Sequence, residues 1–253
     1  MNTTRLVQDL KKFKLSGMAN NFEMRLSEAL THGMGVSEFM QLLMQDELTS
    51  REENRHRRLF EKARLPAMKS IIEFDFSFQP SISKNRIIEL STCAWIDKHE
   101  NVIFVGQPGT GKTHLALALA GKALRQDKTV LFTSASEMAN RLLSGVADNT
   151  HDQKKKQYLT PDLLVIDELG YKTMSPAVAV DFFEIIRSRH ERKSTMITSN
   201  KEVSAWSEIL VDKTLTSALL DCLMQYAHLF HVKGESYRIE HRISLNQQPA
   251  PLV

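Results

Sequence analysis

The sequence predicts an α/β fold: a doubly wound, five-stranded parallel sheet sandwiched by helices, preceded by a small helical domain. Three observations predict it. From Asn101 onward, short apolar runs alternate with helix-sized stretches. One strand–helix junction carries a complete phosphate-binding loop. Upstream of Pro66, apolar residues recur at helical rather than strand spacing.

The segment 1–66 reads as helical. Leu6, Leu10 and Phe13 share a face, as do Met18, Phe22, Leu26 and Leu30, and His32 to Gly35 interrupts the pattern. A longer helix follows from about Ser37, with Phe39, Met40, Leu43 and Leu48 on its apolar side. It turns strongly charged over Arg51 to Arg64 and stops at Pro66. So small a piece predicts a bundle that packs on itself or docks on a partner or on DNA, and its methionines suit an adaptable surface as well as a core. Residues 67–100 form a connector. Phe74, Phe76 and Phe78 alternate with Asp75 and Ser77, which predicts an extended segment that pins the connector to the domain surface. Pro80 ends it, and a short helix is expected from Lys84 to His99.

Residues 101–253 form the core. Asn101 to Gly106, Thr129 to Ser134, Asp162 to Glu168, Ser194 to Asn200 and His228 to Gly234 are short and rich in Val, Ile, Leu and Phe, as buried parallel strands are. Lys154, Lys155 and Lys156 are expected in a polar loop before the third strand.

Composition excludes several classes. No apolar run is long enough for a membrane span, and the first fourteen residues carry four basic side chains and Asp9 rather than an apolar signal core. Two cysteines, Cys93 and Cys222, make neither a disulfide framework nor a zinc spacing, which predicts a reducing cytoplasmic setting. Nine histidines are scattered without ligand spacing, and the net charge of +3 permits nucleic-acid binding without requiring it. The basic run Arg51, Arg55, Arg57, Arg58, Lys62 and Arg64 is interrupted by Glu52, Glu53 and Glu61. It reads equally as a phosphate-contacting stripe or as a self-paired solvated face.

The chemistry is concentrated after the first strand. Gly106, Gln107, Pro108, Gly109, Thr110, Gly111, Lys112 and Thr113 match G-x-x-x-x-G-K-[ST] in full, with His114 opening the next helix. The glycines let successive N–H groups face one concavity, to which the helix N-terminus adds its partial positive charge. Lys112 is expected over the β- and γ-phosphates of ATP, and Thr113 in the Mg2+ shell. The strand 163–168 ends in Asp167 and Glu168, and carboxyl ends of such strands face the ligand crevice. There Asp167 can hold Mg2+ and Glu168 can activate the attacking water. Asn200, at a further strand end, either bonds the γ-phosphate or the lytic water or merely caps a turn. A metabolite kinase would need an acceptor pocket and a mobile basic lid, and no segment after Asn200 offers one.

The P-loop, Leu164 to Tyr171, Thr198-Ser199-Asn200 and Gly234-Glu235-Ser236-Tyr237-Arg238 together resemble the IstB-like ATPases. These are transposition helpers of insertion sequences, related to DnaC-type helicase loaders within the AAA+ class. The resemblance extends upstream through Phe74-Asp75-Phe76 and Trp95. It implies an AAA+ core and a homo-oligomer assembled with ATP, and the chain departs from many AAA+ proteins in that the stretch after the last expected strand is too short for their C-terminal helical lid, so no lid is expected. It also implies binding of target duplex DNA and delivery of that DNA to a transposase. A helicase loader that binds single strands is the alternative. Asn200 would be the sensor and Arg238 a phosphate-responsive arginine, serving its own or a neighbouring subunit. The family pattern has arginine where this chain has Cys222. Slow turnover is therefore expected unless Arg187, Arg189 or Arg192 supplies the missing guanidinium.

Overall fold

A computed structural model describes residues 3–240. Its contacts divide the chain between Arg58 and Leu59.

The first unit contains α1 (Thr3–Lys12), α2 (Ser16–His32) and most of α3 (Val36–Ala63). Helix α2 begins against α3 at Gly17, where an added Cβ would lie 2.5 Å from the Asp46 carbonyl oxygen and 2.6 Å from the Glu47 Cα. Only glycine allows that approach. The buried Glu47 carboxylate then accepts the first free N–H groups of α2, from Gly17 at 2.7 Å and Met18 at 3.2 Å. Arg51 Nε donates to its other oxygen at 2.7 Å. Arg25 grips both oxygens of Asp46 at 2.9 Å, joining the two helices a second time. The expected apolar faces are only partly covered: Phe22 and Leu43 are buried, but Phe13 and Leu30 are each 76% exposed.

The second unit starts on the last turn of α3, where Leu59, Phe60 and Ala63 pack into a core layer. The connector differs from the expected extended segment. It runs through turns, because the Asp75 carboxylate accepts the N–H groups of Ser77 at 2.9 Å and Phe78 at 3.1 Å and folds the chain back. The single helix expected over 84–99 is two, α4 (Lys84–Leu90) and α5 (Ala94–Asp97). Cys93 separates them in a left-handed conformation (φ 60°).

Next come β1 (Asn101–Gly106), α6 (Lys112–Arg125), β2 (Val130–Ser134), α7 (Ala135–Ala147), α8 (His151–Leu159), β3 (Leu163–Leu169) and α9 (Pro176–Arg189). Then follow β4 (Ser194–Ser199), a 3-10 turn, α10 (Ser207–Leu210), α11 (Lys213–Met224) and β5 (Ala227–Val232). The lysines at 154–156 lie on α8, correcting the expected loop. All strand pairs are parallel, in the order β2-β3-β4-β1-β5. Alternate residues serve the two faces: Val102, Phe104, Leu163 and Val165 face one core layer, and Ile103, Val105, Leu164 and Ile166 the other. Two consequences position the site. Strand β4 lies between β1 and β3, so its end separates the two motif-bearing ends. And β3 pairs Ile166 with Ile197 but Leu169 with Ser199, so Asp167 and Glu168 together oppose the single residue Thr198. That is a β-bulge, and Glu168 takes a left-handed φ of 61° in it.

The expected absence of a helical lid concerns in part residues 241–253, which lie outside the described residues.

Candidate functional site

The loop between β1 and α6 curls around one concavity. Gly111 caps α6 with φ 91°, and an added Cβ would stand 2.6 Å from Phe74 Cε2. Pro108 and Gly109 lie at the loop's turn, where Gly109 accepts the Tyr237 N–H at 3.1 Å and is covered by Ser236. Thr110 Oγ1 donates to the Gln107 carbonyl at 2.8 Å. Lys112 Nζ folds onto that carbonyl at 2.7 Å. A phosphate arriving in the concavity would replace this acceptor.

Lys112 is buried, and burial lowers its pKa. Asp167 and Glu168 oppose that shift, whereas the positive charge of Arg238 adds to it. The other three charges that the sequence singled out therefore all reach Lys112.

Thr113 Oγ1 donates to Asp167 Oδ1 at 2.9 Å, so the hydroxyl and carboxylate expected to share a metal ion already touch. A hydroxyl beside a carboxylate is a hard-oxygen donor set and fits Mg2+. Among the described residues no group of three or more His, Cys, Asp and Glu could hold a metal ion, so phosphate oxygens would complete the shell. Thr198 Oγ1 also donates to Asp167 Oδ1, at 2.5 Å, and accepts the Glu168 N–H at 3.0 Å. It supplies the acceptor that the bulge takes from that N–H.

Glu168 and Asn200 do not line the cavity at the phosphate loop. Glu168 is exposed and lines a second cavity of about 230 Å³ with Asn140, Lys172 and Met174. Asn200 lies just beyond β4, and its buried Oδ1 has no hydrogen-bond partner. Gly170 leaves room for it, since a Cβ there would stand 2.5 Å from that oxygen.

The main cavity, of about 410 Å³, extends from Gly109–His114 to a patch that the motif did not announce. Phe74, Phe78, Gln79 and Tyr237 line that end, with Lys69 and Glu73 at its side, and Arg238 lines it as well. The aromatic alternation in the connector thus builds the cavity wall as well as pinning the connector. Phe74 sits 5.6 Å from the His114 ring, and Phe78 meets Tyr237 edge to face at 5.2 Å. His114 Nε2 is 2.8 Å from the Ser70 carbonyl oxygen, a contact that ties α6 to the connector.

The other candidate residues sort by their partners. Arg189 is 1% exposed and donates to the carbonyls of Tyr158, Pro161 and Ser194 at 2.9, 2.9 and 2.5 Å. It holds β4 to the loop before β3 and is removed from the candidates for a trans-acting arginine. Arg187 is exposed, and so is Arg192, which lies beyond α9 rather than on it. The Cys222 carbonyl contacts His190 Nδ1 at 2.9 Å, and its thiol is pushed up by burial and by Asp221, with Arg187 opposing. Lys154 pairs with Asp148 at 2.6 Å, and Lys155 pairs with Glu184 and lies 3.6 Å from Asp181, so both charges are matched within the chain. Within the basic run on α3, Arg51 is committed to Glu47.

Residues 8–244 match the family model described as IstB-like ATP binding protein. The chain is 34% identical over 238 residues to the ATP-binding protein of insertion sequence IS5376 from Geobacillus stearothermophilus, covering 94% of this chain and 95% of that one. It is also 34% identical over 233 residues to the ATP-binding protein of insertion sequence IS21 from Pseudomonas aeruginosa, covering 92% and 88%. Among solved structures, DnaI superposes with a TM-score of 0.58 at 20% identity, covering 68% of this chain and 93% of that one. The DnaC helicase loader gives 0.53 at 22%, covering 70% and 99%. Identities this low show the fold alone.

Proposed function

The chain belongs to the IstB-like ATP-binding protein family, with its AAA+ P-loop fold, and from that premise we propose that it is an ATPase that assembles on target duplex DNA and delivers it to a partner transposase. The observation that carries the enzymatic part is the bonded set Thr113–Asp167–Thr198 beside a complete phosphate loop. The N–H groups of residues 109–113, at the loop and the start of α6, cradle the phosphates. Lys112 exchanges the Gln107 carbonyl for phosphate oxygens. Thr113 and Asp167 would hold a Mg2+ ion, which supplies charge neutralisation on those oxygens. Glu168 orients the attacking water and takes its proton after turning from the cavity it now lines, with Asn200 as its neighbour across the strand ends. Arg238 answers to the nucleotide of its own chain, because it lines that cavity.

The insertion-sequence relatives support the DNA and transposase part of the reading. No helix among the described residues is long and apolar enough to cross a membrane, which agrees with a cytoplasmic site of action. With Cys222 in place of arginine, turnover is slow and ATP-bound assemblies last.

The test measures ATP hydrolysis and assembly size with duplex DNA, single-stranded DNA or none, for the natural chain and Glu168→Gln. Duplex-stimulated turnover is expected, with large assemblies trapped by the variant. Stimulation by single strands alone would replace this reading with a helicase loader, and turnover indifferent to DNA would remove the DNA part altogether. Cys222→Arg is expected to raise DNA-stimulated turnover, and no rise would sink the account of slow hydrolysis.

A further inference from the structure

In the lining of the main cavity, one buried amide is only half used. Gln79 is 2% exposed and lines the cavity between Phe78 and the segment after β5. Its Nε2 donates to the Glu235 carbonyl at 3.3 Å. That bond sets the orientation of the amide, since only the NH2 end can donate. Gln79 Oε1 is then an acceptor with no hydrogen-bond partner. Gly234 lies against the amide, where a Cβ would stand 3.0 Å from that oxygen. A buried acceptor left unpaired is costly, and native structures keep few of them. Such an atom is explained when its donor arrives with a ligand.

The surroundings indicate which ligand. The phosphate loop claims the anionic end of a nucleotide, so the base extends toward Phe74, Phe78 and Tyr237. Flat aromatic walls suit a purine face. Of the carboxylates in this lining, Asp75 is already engaged by the N–H groups of Ser77 and Phe78, and Glu73 accepts the Ser70 N–H at 3.3 Å. Adenine presents an exocyclic amino donor at position 6, where guanine presents a carbonyl acceptor.

We propose that Gln79 Oε1 accepts a hydrogen bond from the 6-amino group of adenine and thereby selects ATP over GTP. The proposal rests on the nucleotide-binding reading and deepens it: Gln79 is a specificity residue, whereas the loop binds any triphosphate. Against guanine, two acceptors would face each other in a site shielded from water, a mismatch that polar sites reject strongly.

The test is equilibrium competition against a fluorescent ATP analogue on the full chain. The competitors are ATP, GTP and purine riboside 5′-triphosphate, which differs from ATP only in lacking the 6-amino group. The natural chain is expected to prefer ATP over the purine riboside analogue by about tenfold, the worth of one hydrogen bond. In Gln79→Leu and Gln79→Met that preference should collapse to within about twofold. Loss of the bond to the Glu235 carbonyl lowers affinity for every nucleotide alike and leaves the ratio untouched, so a merely structural role is separable. Equal binding of the two by the natural chain, with both lost in Lys112→Ala, would overturn the proposal while leaving the nucleotide site standing. A preference that persists in both Gln79 variants would also overturn it. Failure of every triphosphate to bind would bring down the nucleotide reading and the proposal together.

Discussion

Replacing Thr198 with valine keeps the shape of the side chain and deletes one hydroxyl that bonds both the Asp167 carboxylate and the Glu168 backbone N–H. That hydroxyl is 1% exposed at the residue level, donates to Asp167 Oδ1 at 2.5 Å and accepts the Glu168 N–H at 3.0 Å. The donated bond ends on a carboxylate and contributes about 1.5–3 kcal/mol, and the accepted bond about 1 kcal/mol. A buried methyl in place of the hydroxyl returns at most about 0.8 kcal/mol. The net loss is therefore about 2–3 kcal/mol. For a unit of this size that lowers Tm by about 4–12 °C. The bulge also loses the acceptor that fixes Glu168, so ATP turnover should fall by about 10- to 100-fold. Thr198→Ser keeps the hydroxyl and should stay within about 1 kcal/mol of the natural chain. The assay pairs thermal unfolding followed by circular dichroism with steady-state ATP turnover for the three proteins. A valine variant that melts within about 2 °C of the natural chain with unchanged turnover would refute the reasoning. A serine variant as damaged as the valine variant would refute it equally, because the cost would then lie in packing.

Four further outcomes follow from contacts in the structure. In Glu47→Ala the Gly17 and Met18 N–H groups and Arg51 lose their acceptor, so protection of the α2 amides from hydrogen exchange should fall by about 2–3 kcal/mol, while Glu47→Gln recovers part of it. Burial alone would raise the Glu47 pKa, but Arg51 and the two amides outweigh it and the net shift is downward. Its stabilisation is thus present above the ordinary glutamate range and lost as pH falls through the depressed value, and exchange of α2 corrected for intrinsic rates should show that direction. In Gly111→Ala the new Cβ meets Phe74 at 2.6 Å in a left-handed conformation, so ATP affinity should drop at least about tenfold by competition binding. Arg189→Met strands carbonyls that a guanidinium now satisfies, and the urea midpoint should report a loss of about 3–5 kcal/mol.

The parts of the site legible in the sequence are those whose geometry is set by neighbours along the chain. The phosphate loop is eight contiguous residues between a strand and a helix, so spacing alone specifies it. The parts that escaped depend on register or on a local competitor for hydrogen bonds. Thr198 matters because a bulge sets Asp167 and Glu168 opposite it, and no single-strand pattern announces a bulge. The Phe74–Phe78 alternation has strand period, yet the Asp75 carboxylate captures two N–H groups and bends the segment into the cavity wall. Gln79 gains its place only through Glu235, 156 residues away. The lysines at 154–156 looked like loop because they lack an apolar face, but ion pairs to Asp148, Asp181 and Glu184 hold their helix.

The segment after β5 shows how these separate pieces become one device. On one side Lys233 exchanges hydrogen bonds with the Ser81 hydroxyl, and Glu235 accepts from Gln79. On the other, the Tyr237 N–H reaches Gly109 in the phosphate loop. Arg238 is thereby carried to the cavity of its own chain, where its charge and that of Lys112 repel. A triphosphate removes that repulsion by lying between them, so its binding free energy is shared among the loop, the connector and this segment. By linkage, ligand at 100 times its Kd would stabilise all three together by about 2.7 kcal/mol. On the proposed reading, the same placement favours the nucleotide of its own chain for Arg238, which lines that cavity. Of the three arginines weighed for a neighbour's nucleotide, Arg187 and Arg192 are exposed, whereas Arg189 is spent on carbonyls inside the fold.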